Sequence, residues 1–218
     1  MEALKKAVLR TLAYADIFDY PLKKEEIKRW LIAESHFGDE RKIGAALGQL
    51  LEKGQCQLKA GYFFLPGRGE TVSLRRRRTK ASIPKLKKAE KVARLLKWLP
   101  WIKLIGITGA LAKENANQED DIDLFFVTAK GRLWLTRGLI VTCLRFSHLY
   151  RRPNKVKDRI CPNMFLDEGH LRVPQEEQDL FAAHELCQLR LIWAKDKSYQ
   201  KLLRENQWVQ QFLPNWRP

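Results

Sequence analysis

The sequence predicts an α+β protein: an N-terminal module of three helices and a hairpin, a basic connecting helix, a sheet flanked by helices, and further helices at the C-terminus. Three observations predict it. Apolar residues recur at helical spacing over residues 2–53, then give way to two short β-type runs around Gly61. Residues 75–97 are basic with almost no acidic opposition. Beyond them, the apolar runs 101–108 and 121–128 have the length and composition of buried strands.

The first helix carries the stripe Leu4, Val8, Leu9, Leu12 and Ala13, and Asp19-Tyr20-Pro21 ends it. Pro21 opens a second helix, Leu22 to Ile32, with Ile27, Trp30 and Leu31 inward. Asp39 caps a third helix from about Glu40 to Lys53, which turns Ile43, Leu47, Leu50 and Leu51 to the core and stops at Gly54. Gln55–Leu65 reads as two short strands around a glycine turn, and Pro66-Gly67-Arg68-Gly69 as a flexible joint.

The basic run follows: Arg75, Arg76, Arg77, Arg78, Lys80, Lys85, Lys87, Lys88, Lys91, Arg94 and Lys97, opposed only by Glu90. Ser82 and Pro84 start a helix there, whose buried edge is Leu86, Ala89, Ala93 and Leu96. Gly131–Tyr150 reads as a long helix, apolar nearly all round and so well buried. Ile160–Asp167 reads as a strand that His170–Val173 joins through Glu168-Gly169. Residues 176–194 read as a helix bearing His184, and 198–218 as a helix with a tail containing Trp208 and Trp216. The expected divisions are 1–66, 67–99, 100–175 and 176–218.

Composition bounds the function. Of 218 residues, 45% are hydrophobic, enough for a proper core and too many for a disordered chain. A net charge of +16, from 41 Lys+Arg against 25 Asp+Glu, favours polyanionic partners such as nucleotides or nucleic acid. Four widely spaced cysteines with no Cys-x-x-Cys argue against a zinc ribbon or a disulfide framework. Reduced thiols in a cytoplasmic protein are the expectation. The opening residues do not read as a signal peptide, and the longest apolar stretch, 138–144, is far below the ~20 residues a membrane span needs.

The chemistry gathers at Asp121-Ile122-Asp123. In a strand, alternate side chains share a face, so Asp121 and Asp123 point one way and Ile122, Leu124 and Phe126 the other. Two neighbouring carboxylates repel, and a hard divalent cation with oxygen preference relieves that repulsion. The competing reading is a pair of solvated acids at a strand entry. Upstream, strand 101–108 runs into Thr108-Gly109-Ala110-Leu111-Ala112-Lys113, where glycine and small residues let backbone approach a ligand closely. A helix starting there offers free N–H groups to a phosphate. For Gly109 the bland alternative is a simple turn, and for Lys113 a solvated lysine.

At these residues the chain resembles the nucleotidyltransferase superfamily, the fold of DNA polymerase beta. A strand ends in Gly109-Ala110, ten residues intervene, and Asp121-Ile122-Asp123 lies between hydrophobics. The resemblance covers 100–130 and extends more loosely to about 170. The spacing Leu50-Leu-Glu-Lys-Gly54 to Gly61-Tyr-Phe63 resembles the winged helix-turn-helix family.

The resemblance implies a mixed sheet and transfer of a nucleoside monophosphate from a nucleoside triphosphate to a hydroxyl. It implies two Mg²⁺ ions on Asp121 and Asp123, and phosphate held at the Gly109-Ala110 turn; Thr108 and Lys113 beside the turn are further candidate phosphate contacts. Ala110 departs from the pattern, since the family has serine or glycine there. A third carboxylate is not evident: by period two Cys161, Asn163, Phe165 and Asp167 share a face of the later strand, so Asp167 is one candidate, Asp158 just before the strand is another, and Asn163 is a neutral substitute. The alternative is a non-catalytic regulator that senses nucleotide or binds nucleic acid. Arg41, Lys42, Arg75, Arg76, Arg77, Arg78, Lys85 and Lys88 are the candidate nucleic-acid contacts, against the reading that they are solvated surface charges.

Overall fold

The computed structural model describes residues 1–218. In chain order the elements are α1 (Glu2–Asp16), α2 (Lys24–Arg29), α3 (Glu40–Glu52), β1 (Gln57–Lys59), β2 (Tyr62–Phe64), α4 (Thr71–Leu96), β3 (Ile102–Ile107), α5 (Gly109–Ala112), β4 (Ile122–Thr128), α6 (Leu133–Phe146), β5 (Ile160–Asp167), α7 (Leu180–Gln188), β6 (Arg190–Ala194) and α8 (Ser198–Glu205). They form two compact units. One comprises Met1–Arg77, Asp179–Cys187 and Trp208–Pro218; the other comprises Arg78–Gln178 and Gln188–Gln207.

The first unit is built from α1, α2, α3 and the β1–β2 hairpin around a core of Leu4, Val8, Leu12, Ile27, Ile43 and Leu50. Asp39 caps α3 as its position predicts, accepting from Arg41 N at 2.9 Å and Lys42 N at 3.4 Å. The second helix is shorter than expected, Lys24–Arg29. The reason is tertiary: Leu22 exchanges backbone hydrogen bonds with Phe63 at 2.9 and 2.7 Å and so is held as a strand bridge beside the hairpin. His184 is buried and stacks on Tyr14 with ring centroids 4.3 Å apart, a packing role.

The connecting helix starts earlier than expected, at Thr71, and Pro84 lies inside it. Proline removes one intrahelical donor, and the flanking burial of Lys85, Leu86, Ala89, Val92 and Ala93 outweighs that loss.

In the second unit the sheet order is β5-β4-β3-β6. β3 runs antiparallel to β4 and β6, and β4 runs parallel to β5, so the sheet is mixed. Ile105, Ile107, Ile122, Leu124 and Phe126 pack with Leu86 and Ala93 of α4 and with Ile140 and Leu144 of α6. The other sheet face carries Asp123.

Three further expectations are corrected. The helix expected over 176–194 ends at Gln188, and Arg190–Ala194 pairs instead with β3. Sheet pairing overrides an apolar pattern that suits either element. His170–Val173 forms no strand with β5; His170 N donates to Asp167 O at 2.8 Å in a tight turn. The helix expected over 131–150 is Leu133–Phe146 and is not buried all round. It buries Thr136, Ile140 and Leu144, while Trp134 is 77% exposed and Phe146 82%. A helix lying on a sheet covers one stripe, and nothing in this unit covers the other.

Candidate functional site

β3 and β4 set the site. Their register pairs Ile107 with Leu124, and the next step is continued by Thr108 N, which donates to Asp123 O at 3.1 Å. Thr108 therefore stands opposite Asp123 on the sheet face away from the helix-packed core. At the next residue the chain bends: Gly109 has φ +65°, a conformation that a side chain makes costly. A Cβ placed there would lie 3.1 Å from Asp123 Oδ2. The glycine bend is thus directly against a carboxylate, and the structure brings Gly109, Asp121 and Asp123 together.

The third donor at this place is a thiol. Parallel pairing of β4 with β5 sets Asp123 beside Cys161. One ligand atom from each of Asp121, Asp123 and Cys161 lies within 4.8 Å of the others. Burial pushes the Cys161 thiol up to about 11; the charges of Asp123 and Asp121 add to this, as does its hydrogen bond to Asp123.

Arg151 completes the cluster. Its backbone N–H donates to Ile160 O at 3.0 Å, which pins it beside the start of β5, and its Nε lies 2.8 Å from Asp121 Oδ2. At an effective dielectric of about 20, carboxylate oxygens within 4.8 Å of each other repel by at least about 3 kcal/mol, and the Arg151 contact attracts by about 6 kcal/mol, both before solvent screening. The guanidinium is half exposed, so the net gain is ~1 kcal/mol or less. Arg151 therefore relieves part of the repulsion between the two acids.

The loop entering β4 is tied from below. Lys85 is 2% exposed, and its Nζ donates to Gln118 O at 3.0 Å, Asp120 O at 2.6 Å and Asp158 Oδ1 at 2.6 Å. Arg78 Nε donates to Asn117 Oδ1 at 2.9 Å, and Asp158 N to Asp120 O at 3.1 Å.

Other residues singled out in the sequence fall elsewhere. Asp167 is not brought to the pair. A register shift between Leu124 and Phe125 makes Asn163 an extra residue in β5, so the alternation expected from Cys161 to Asp167 breaks. Phe165 stacks on Phe126 of the core side, centroids 5.0 Å apart, and Asp167 pairs with Thr128 at the far end of the strands. There its carboxylate accepts from Gly131 N at 2.6 Å and Gly169 N at 2.8 Å. Asp158 is held by Lys85, and Asn163 is exposed in the bulge.

Ala110 is half-buried in α5, which is only four residues long, and Lys113 stands at its C-terminal end. Of the candidate nucleic-acid contacts, Arg75 is buried against Glu26, Tyr20 and Tyr62. Lys85 is internal as described, and Lys88 is half-buried. Arg41, Lys42, Arg76 and Arg77 are exposed.

No family model and no curated protein matches the chain. Among solved structures, the chain is similar to a protein described as a nucleotidyltransferase from Sulfolobus solfataricus, at 20% identity and a TM-score of 0.35, over 55% of this chain and 89% of that one. It is similar to a toxin–antitoxin structure with AMP-PNP at 12% identity and 0.34, over 53% and 82%. It is also similar to a mutant of the toxin–antitoxin pair MntA-HpeT at 12% and 0.32, over 53% and 80%. At these levels the likeness is partial. No helix is long and apolar enough to cross a membrane.

Proposed function

We propose that the second unit is a nucleotidyltransferase-type domain. It binds a nucleoside triphosphate at the Thr108-Gly109-Ala110 bend and transfers the nucleoside monophosphate to a hydroxyl acceptor, with release of pyrophosphate. The observation that carries this is the bend at Gly109 lying against Asp123, with Asp121 beside it. Backbone N–H groups at the bend orient phosphate oxygens, and the Thr108 hydroxyl adds a donor. Asp121 and Asp123 offer the hard oxygen donors that suit divalent cations. Bound there with the triphosphate, such cations supply charge neutralisation for the leaving pyrophosphate and lower the pKa of the acceptor hydroxyl. Arg151 is positioned to leave Asp121 for a phosphate, since its side chain is half exposed. The protein's contribution is orientation and preorganised charge.

A second reading is favoured by two specific observations. Arg151 already neutralises Asp121, and Cys161 stands where a further acid would complete an oxygen set. In that reading the unit binds nucleotide without turning it over. The test is pyrophosphate release from labelled triphosphate with Mg²⁺ and, separately, with Zn²⁺, alongside thermal stabilisation by the nucleotide. An enzyme releases pyrophosphate and loses at least the roughly 100-fold that metal-site partners are worth in Asp121→Asn and Asp123→Asn. A sensor shows stabilisation without release. Neither signal in the unaltered chain would end both readings.

For the first unit, the order of three helices and a hairpin, with Leu22 bridging Phe63, supports a winged helix-turn-helix. Arg41 and Lys42 on α3, with Arg76 and Arg77, are its remaining exposed candidates for a polyanion. Retention of duplex DNA that is lost in an Arg41→Ala, Lys42→Ala double variant would bear this out.

A further inference from the structure

We propose that Asp121, Asp123 and Cys161 form a site for a single borderline divalent cation of the zinc class, selected against Mg²⁺. The proposal deepens the reading above, because it shares the two carboxylates, yet it stands without nucleotidyl transfer.

The donor set carries the choice of metal. Magnesium requires oxygen ligands in near-octahedral order and has little use for sulfur. A thiolate with carboxylates suits Zn²⁺ or Co²⁺, at about 2.3 Å for sulfur and about 2.0–2.2 Å for oxygen. Cys161 is not placed by accident of a loop: the parallel ladder fixes it beside Asp123. All three ligand atoms lie within 4.8 Å of one another.

A second observation points to a ligand at the same spot. Thr108 is 5% exposed, and its Oγ1 has no hydrogen-bond partner. The side chain stands across the ladder from Asp123, on the same sheet face as the cluster. A buried hydroxyl left without a partner costs about 1–3 kcal/mol. A cation, or the water it carries, supplies the missing contact. Gly109 keeps the space beside Asp123 Oδ2 open, since a Cβ there would come to 3.1 Å.

Arg151 is the competitor. It occupies Asp121 Oδ2 at 2.8 Å, but its half-exposed side chain is free to swing into solvent. The cation must displace it or share Asp121.

The test is titration of the full chain with Co²⁺, read by thiolate-to-cobalt charge-transfer absorbance. The expected result is one Co²⁺ per chain with such a band, displaced by Zn²⁺ and retained in a large excess of Mg²⁺. The band is lost in Cys161→Ser and kept in Cys56→Ser, Cys143→Ser and Cys187→Ser. Arg151→Ala leaves all three ligands in place and is expected to raise Co²⁺ affinity about two- to fivefold, the worth of a half-exposed ion pair. Absence of the band, its survival in Cys161→Ser, or displacement by Mg²⁺ would overturn the proposal. Pyrophosphate release is scored separately on the same samples. A cobalt band without release removes transfer and leaves this site standing; Mg²⁺-dependent release without a band removes this site alone.

Discussion

Gly109→Ala tests whether the glycine bend and the Asp123 carboxylate are one structural unit. The alanine inherits φ +65°, which costs an L-residue roughly 1–2 kcal/mol. Its Cβ would stand 3.1 Å from Asp123 Oδ2, closer than ordinary contact, so the carboxylate must shift by a few tenths of an ångström. A total loss of ~1–3 kcal/mol follows, which for a domain of this size lowers Tm by roughly 3–10 °C. Urea unfolding of four chains separates the two costs: the unaltered protein, Gly109→Ala, Asp123→Ala and the double variant. The backbone cost persists when Asp123 is truncated, but the crowding cost vanishes, so the two changes couple by ~0.5–1 kcal/mol. Strict additivity would refute the contact, and with it the claim that the bend presents backbone to whatever the carboxylate holds.

The remaining predictions concern the scaffold and its pH response. Arg75→Ala is expected to destabilise the first unit by about 3–5 kcal/mol, because it strands Glu26 and empties the space between Tyr20 and Tyr62. Arg76→Ala and Arg77→Ala should stay within about 0.5 kcal/mol in the same urea series. Lys85→Met removes three donors from Gln118, Asp120 and Asp158 and should cost about 2–4 kcal/mol. It should also weaken cation and nucleotide binding, measured by calorimetry, since it frees the loop entering β4. Burial holds Tyr14 up to about 12 from 10.0 and Cys187 up to about 12 from 9.0. Both folded values exceed the unfolded ones, so their stability is complete below pH 9 and lost as pH rises from 9 to 12. Urea midpoints should fall across that window, and less steeply in Cys187→Ser.

Legibility in the sequence followed the range of the determining contact. The α3 cap and the hairpin were readable because Asp39, Gly54 and Gly61 act on their own neighbours. The bend and paired acids were readable because β3 and β4 are adjacent and the alternation of β4 is unbroken from Ile122 to Thr128. Cys161 and Arg151 were not. Cys161 matters only because β5 runs parallel to β4, which sets the strand starts side by side and Asp167 at the far end. The alternation used to group Cys161 with Asp167 was also interrupted at Asn163. Pro162 was the local signal, since proline in a strand marks an edge or a bulge. Arg151 sits outside any periodic element and reaches Asp121 only through its backbone tie to Ile160. The α4 arginines misled for the opposite reason: a run of like residues looks uniform, but helix geometry sends Arg75 inward to Glu26 while Arg76 and Arg77 face water.

The paired acids themselves do not decide between a metal centre and a structural ion cluster. Their mutual repulsion is offset in part by Arg151, whose Nε lies 2.8 Å from Asp121 Oδ2. What a cluster serving only stability does not explain is the rest of the arrangement. Such a cluster has no need of a glycine bend against Asp123, nor of a buried Thr108 hydroxyl without a partner. The unpaired hydroxyl costs about 1–3 kcal/mol that an apolar side chain would avoid, and the glycine leaves open the space that a Cβ would take beside Asp123. An exogenous ligand that takes the Thr108 hydroxyl and the Asp123 carboxylate together would account for both features, and Arg151, half exposed, is the one member of the cluster able to make way for it.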